Sequence, residues 1–265
     1  MSEGTINIRR KPEQQGALFL EFCNPDAMNA YTPEMMRALT SALRAARTDE
    51  SVRVVILSGD GERALSAGLS MDELNKMKTY DDFAVFYTLG LEIREAIAAL
   101  DKPMISAVMG NCVGGGFEIS LCCDLIYAAE GAKFMLPEIK IGLTPGGGGA
   151  INLPKKIPPN RAFEMLLFSE RVTAEELLGW GVVNKVFPAA AFWDEVGARV
   201  DKILAMPPIA VNGLRELMNS AVIAGDDRLL LKTERRLAID TMCTEDFHEA
   251  VEAFRAKRAP VFAGR

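Results

Sequence analysis

Two glutamates stand in surroundings that do not suit an idle carboxylate. Glu118 follows Gly114-Gly115-Gly116-Phe117, at the start of an apolar helical segment over residues 117–123. Glu138 falls 20 positions later, within Leu136-Pro137-Glu138-Ile139. A carboxylate in an apolar setting is costly unless it is paired or used. Two of them near one apolar pocket would have their pKa values pushed apart, leaving one acid and one base at neutral pH. Taken singly, each is also readable as a helix-start or loop carboxylate.

The glycines beside Glu118 are the second candidate. The stretch Gly110-Asn111-Cys112-Val113-Gly114-Gly115-Gly116 follows a predicted strand and opens a helix. Without Cβ atoms, its backbone N–H groups can approach a ligand closely, and a helix N-terminus favours negative charge. An oxyanion hole and a tightly packed turn both fit this pattern. A further run, Pro145-Gly146-Gly147-Gly148-Gly149, shares with the first the lack of a following Lys-Ser or Lys-Thr, so neither is a P-loop. Gly59-Asp60-Gly61-Glu62-Arg63-Ala64 is a partial dinucleotide fingerprint, but Gly68 interrupts the helix it needs, and it reads as a surface loop.

Other chemistries are excluded by counting. The only histidine, His248, lies in a charged helical pattern, so two-histidine metal sites are impossible and a His-based triad would depend on that residue alone. The five cysteines, Cys23, Cys112, Cys122, Cys123 and Cys243, show no C-x-x-C spacing, which predicts reduced thiols and no zinc site. With 30 basic and 36 acidic residues the net charge is −6 and the pI about 5.1, a poor footprint for nucleic acid. No apolar run approaches the ~18 residues of a membrane span, and Met1-Ser2-Glu3-Gly4-Thr5 does not resemble a signal peptide. A cytoplasmic location is expected.

The elements that must position these residues follow from hydropathy patterning. Residues 17–22, 52–57, 104–108 and 125–129 read as short apolar strands. Residues 33–46 and 81–100 read as helices, the first opened by Thr32-Pro33-Glu34 and the second by Asp81 or Asp82. After Pro188 the pattern is helical over 190–206, 208–222, 227–242 and 245–257. Alternating strands and helices predict an α/β core with parallel pairing. The core is placed at residues 1–188 and a helical C-terminal region at 189–265.

In order and spacing, several segments together resemble the enoyl-CoA hydratase/isomerase, or crotonase, family. They are Asn24-Pro25-Asp26-Ala27-Met28-Asn29-Ala30, the strand 54–57 leading to Ser66-Ala67-Gly68-Leu69, and Lys102-Pro103. Then come Gly114-Gly115-Gly116-Phe117-Glu118 with Cys123-Asp124, Pro137-Glu138-Ile139-Lys140-Ile141-Gly142, Gly181-Val182-Val183, and residues 253–260. The resemblance implies an α/β fold built as a crotonase-like spiral of ββα units, with the helical C-terminal region used to form a homotrimer or dimer of trimers. It also implies an acyl-CoA thioester substrate, with coenzyme A entering only as part of that substrate and no metal or redox cofactor.

Carried over residue by residue, the resemblance puts the oxyanion hole on the N–H groups of Leu69 and Gly115, and the hydratase carboxylates on Glu118 and Glu138. Ala67, Gly68, Ser70, Gly114 and Lys257 are implied as substrate-binding. Ser70-Met71-Asp72 stands where relatives often have Asp, an apolar residue and Lys, and Gly148-Gly149-Ala150-Ile151-Asn152-Leu153-Pro154-Lys155 departs from the usual Gly-Gly-Thr-Gln-Arg-Leu-Pro-Arg. The expected activity is hydration of a 2-enoyl-CoA. The rivals are 3-enoyl-CoA to 2-enoyl-CoA isomerisation, with Glu138 as proton shuttle, and a catalytically silent acyl-CoA-binding subunit.

Overall fold

The computed structural model describes residues 4–223 and 227–265, and side chains outside 221–231. The strands are β1 (Thr5–Lys11), β2 (Gln14–Cys23), β3 (Val54–Gly59), β4 (Ala64–Ser66), β5 (Met104–Val108), β6 (Asn111–Val113), β7 (Leu125–Ala129), β8 (Lys133–Met135), β9 (Val172–Thr173) and β10 (Lys185–Phe187). The helices of the core are α1 (Pro33–Thr48), α2 (Met71–Lys76), α3 (Tyr80–Ala99), α4 (Gly115–Ser120), α5 (Gly149–Asn152), α6 (Pro159–Phe168) and α7 (Ala174–Gly179). Four more close the chain: α8 (Phe192–Leu204), α9 (Pro208–Ile223), α10 (Asp227–Met242) and α11 (Glu245–Ala256).

A six-stranded sheet runs in the order β1-β2-β3-β5-β7-β10, and a four-stranded sheet in the order β4-β6-β8-β9. All pairs are parallel except β1 with β2 and β8 with β9. Each turn of the chain therefore lays one strand in the large sheet, one in the small sheet, and then a helix: β3-β4, β5-β6 and β7-β8 repeat the step. β2 begins the series, because Tyr31 bridges in parallel to Leu69 before α1. This is the expected spiral of ββα units.

Period-two alternation explains why the large sheet is buried on both faces. Leu18, Leu20, Phe22, Val55 and Leu57 enter the main core, whereas Ala17, Phe19, Val54 and Ile56 face the opposite layer. There Phe192, Val196 and Val200 of α8, spaced four apart, complete the second core. Helix α1 starts as expected, with the Thr32 side chain accepting from Met35 N–H at 3.3 Å. Helix α3 instead starts at Tyr80. Thr79 is its cap, and Asp82 reaches back as the N3 partner of a capping box rather than serving as the cap itself.

Behind the candidate site lies a chain of buried polar contacts. Asn29, in the left-handed region, accepts from Asn24 N–H and donates to Asp60 and Ala64 carbonyls at 3.0 and 2.7 Å. Ser66 Oγ donates to the Asn29 carbonyl at 2.7 Å and accepts from Gly68 N–H at 3.1 Å. The Asn24–Ala30 segment thus fixes the loop that carries Leu69. The Gly59–Ala64 segment is the turn it grips.

Helix α9 is docked by Arg215, whose buried guanidinium donates to Asp124 at 2.8 Å and to the Ile97 and Leu100 carbonyls. Asp124 also accepts from Met104 N–H at 2.7 Å. Of the apolar residues expected to mark the C-terminal region as an assembly surface, Leu237 is half-buried and Ile239 exposed, while the side chains of Leu229, Leu230 and Leu231 lie outside the described residues. Because removing one partner leaves a buried charge uncompensated, Asp124→Ala should cost about 3–5 kcal/mol. A urea denaturation midpoint equal to that of the unaltered protein would contradict this.

Candidate active site

Three successive turns of the spiral deliver their loops to one place. The first loop, after β4, carries Gly68 and Leu69. Gly68 has φ +89°, and a Cβ there would lie 3.0 Å from the Val113 carbonyl and 3.3 Å from Gly115 N, so the two loops touch backbone to backbone. The second loop, after β6, turns at Gly114 (φ 54°, ψ −130°), a conformation open to glycine, and enters α4 at Gly115. Among the described residues, neither Leu69 N–H nor Gly115 N–H has a hydrogen-bond partner. Gly115 is the first residue of α4, where the helix itself supplies no acceptor.

The third loop, after β8, brings Glu138 in a single 3₁₀ turn, Glu138–Ile141, ended by Gly142 at φ 76°. Its Oε1 lies 3.2 Å from where a Gly114 Cβ would be. Glu118, one turn into α4 and 4% exposed, faces the same space. The second glycine run explains how it is tolerated there: Glu118 Oε1 accepts from Gly147 N–H and Gly149 N–H, both at 2.9 Å.

These surroundings treat the two carboxyls differently. Burial raises the Glu118 pKa, but the Gly149 and Gly147 amides and the Arg94 guanidinium of α3 oppose the rise. Glu138 has no such support. Burial, reinforced by the Glu118 charge, pushes it up to about 7, and its buried Oε2 has no hydrogen-bond partner. Such a pair is suited to share one proton, with Glu118 the easier to ionise because the amides and the guanidinium support its charge.

Both carboxyls line a cavity of about 150 Å³. Its walls are mainly apolar, from Met36, Leu74, Phe83, Phe86, Ile93 and Ile119, with the phenols of Tyr31 and Tyr87 added. Of the residues carried over from the family pattern, Ala67, Gly68, Leu69, Gly114, Gly115, Glu118 and Glu138 line it. Ser70 and Lys257 do not. Ser70 instead stands at the N-cap position of α2, without a side-chain capping bond, and donates its N–H to the Tyr31 carbonyl, and Lys257 is exposed at the end of α11. Sequence reasoning singled out the glycine run 145–149 without connecting its Gly147 and Gly149 amides to Glu118, and missed Arg94, Tyr31 and Tyr87. Only the carboxylate-rich, apolar setting hinted that some donor had to meet Glu118. Among the described residues there is no group of three or more His, Cys, Asp or Glu side chains able to hold a metal ion, and no helix long and apolar enough to cross a membrane.

A carboxyl whose folded pKa is raised keeps its proton longer than the unfolded chain does, so it weakens the fold as pH rises from about 4.5 towards 7. Glu138→Gln should therefore resist unfolding better than the parent at pH 8, by ~2 kcal/mol, which is less than the full shift because the side chain still meets solvent. The gain should vanish near pH 4, where both folded and unfolded forms are protonated. Denaturation curves with the same difference at both pH values would contradict it.

The comparisons with known proteins agree with this architecture. Residues 12–265 match the family model described as enoyl-CoA hydratase/isomerase. The chain is 34% identical over 256 residues to the 2,3-dehydroadipyl-CoA hydratase of Escherichia coli K12, covering 95% of this chain and 97% of that one. It is 35% identical over 240 residues to the carnitinyl-CoA dehydratase of Salmonella enteritidis, covering 89% and 91%. Among solved structures, an enoyl-CoA hydratase from Bacillus anthracis superposes with a TM-score of 0.93 at 28% identity, over 98% of this chain and all of that one. A Geobacillus kaustophilus structure described as an enoyl-CoA hydratase subunit does so with a TM-score of 0.90 at 32% identity, over the full length of both. The chain belongs to the enoyl-CoA hydratase/isomerase family.

Proposed function

We propose that this protein is a hydro-lyase that adds water reversibly across the C2–C3 double bond of a 2-enoyl-CoA thioester. The observation that carries the reading is the meeting of Glu118 and Glu138 in one apolar cavity with the two unpaired amides of Leu69 and Gly115. The thioester oxygen accepts from those two N–H groups, which stabilise the charge that grows on it as C3 is attacked. Glu118, its charge supported by the Gly147 and Gly149 amides, takes a proton from a water molecule as the oxygen bonds to C3. Glu138, protonated below about pH 7, gives its proton to C2 as the electrons return from the thioester oxygen. Dehydration runs the same steps backwards. Coenzyme A enters as part of the substrate, and the reaction as written needs no metal or redox cofactor.

The two relatives named above as a hydratase and a dehydratase of CoA thioesters support a hydro-lyase. The apolar wall suits the hydrocarbon part of an acyl group. Glu118→Gln and Glu138→Gln should each lower hydration of a 2-enoyl-CoA by about 10²–10⁴. The double variant should be little worse than the poorer single one, because the two act on one water. In an isomerase only one shuttle is required, so 3-enoyl to 2-enoyl conversion that survives Glu118→Gln, with no hydration of any 2-enoyl-CoA by the parent protein, would favour isomerisation.

Assembly belongs to the same proposal. Leu214, Met218, Ile239 and Met242 of α9 and α10 are exposed, as are Phe163, Leu167 and Phe168 of α6. Apolar surface on this scale is what subunit contacts cover. A homotrimer or dimer of trimers is expected by light scattering at micromolar concentration, and a monomer there would refute it.

A further inference from the structure

Tyr31 lines the cavity with a polar atom that the mechanism above leaves unused. Its residue is 5% exposed, and among the described residues its hydroxyl has no hydrogen-bond partner. Buried tyrosines ordinarily find one. The hydroxyl sits against Gly115: a Cβ on that glycine would overlap it, so Gly115 leaves the space that the phenol occupies. The main chain of Tyr31 holds the other donor loop, with its N–H on the Gly68 carbonyl at 2.9 Å and its carbonyl on Ser70 N–H at 2.9 Å. Leu69 lies between those two bonds. One residue therefore fixes the Leu69 loop through its backbone and stands beside Gly115 with its side chain.

We propose that the Tyr31 hydroxyl is a third hydrogen-bond donor to the thioester oxygen, alongside the Leu69 and Gly115 amides. This rests on the acyl-CoA reading of the cavity. Burial and the nearby Glu118 and Glu138 charges raise the phenol pKa, so it stays protonated and donates throughout the working pH range. An apolar side chain at residue 31 would fill the same space without offering a proton to the carbonyl. Tyr87, more exposed, meets the cavity from α3, where its ring packs against Gly146.

The test uses Tyr31→Phe, which keeps the ring and removes only the hydroxyl, and Tyr31→Leu in case the first variant folds poorly. The C=O stretch of [1-¹³C]butyryl-CoA, a saturated thioester that cannot be hydrated, is read by isotope-edited infrared difference spectroscopy on the intact protein. Binding should lower the frequency in the parent protein, and both variants should recover part of that shift. With crotonyl-CoA as substrate, kcat should fall about 10–100-fold with KM little changed. An unchanged carbonyl frequency in the variants overturns the proposal, even if kcat falls, since the hydroxyl would then serve the water or the packing. Should the parent protein hydrate no enoyl-CoA, the proposed reaction fails while the carbonyl shift still decides the role of Tyr31.

Discussion

Keeping two carboxyl groups close together out of water is the constraint from which the rest of this site follows. Left alone, both would hold their protons and neither would serve as a base at neutral pH. The fold resolves this by compensating one of them. Two main-chain amides converge on Glu118 Oε1, and Arg94 adds a positive charge nearby. Glu138 is left with burial and a like charge. The asymmetry comes from loops, not from residue type: two identical glutamate side chains differ in how readily they ionise according to which backbone faces them.

The spiral makes such convergence cheap in chain length. Each ββα step adds a parallel strand beside the last in the small sheet, so the loops after β4, β6 and β8 leave from the same end and are neighbours although far apart in sequence. Parallel strands with fixed register determine where each loop starts. The Asn29–Ser66–Gly68 contacts then hold the first loop from behind, and Gly114 N–H on the Met135 carbonyl at 2.9 Å holds the second against the third. These are buried, satisfied polar groups, which stiffen a site because any alternative arrangement leaves one unpaired. The unpaired amides of Leu69 and Gly115 are held in that frame.

Legibility in the sequence followed from how local each cause was. The strands at 104–108 and 125–129 are visible because both faces are buried, which gives runs that are apolar but for Ser106. The three-residue strands β4, β6 and β8 have no period to read and exist only because the spiral stacks them. β1 is an edge strand with largely exposed, charged residues, which resembles a loop. Glu118 and Glu138 betray themselves as charges among apolar neighbours. The amides that meet Glu118 come from 29 and 31 residues away, and a backbone donor has no residue signature. Tyr31, an aromatic at a core position, is indistinguishable by pattern from packing.

The amide cradle also bears on which reaction the cavity serves. Gly147 N–H and Gly149 N–H both donate to Glu118 Oε1, and buried donors without an acceptor are costly. A site with one proton shuttle would have no use for a loop shaped around a second carboxylate. Here the loop, its glycines and Arg94 all support negative charge at residue 118, while Glu138 approaches the Gly114–Gly115 turn from the other side. Two carboxyls with unlike support across one cavity are what the proposed reaction calls for, a proton acceptor for water and a proton donor for carbon. The proposed addition of water uses both at once, and under that proposal the amides and the charge gathered at Glu118 have a purpose.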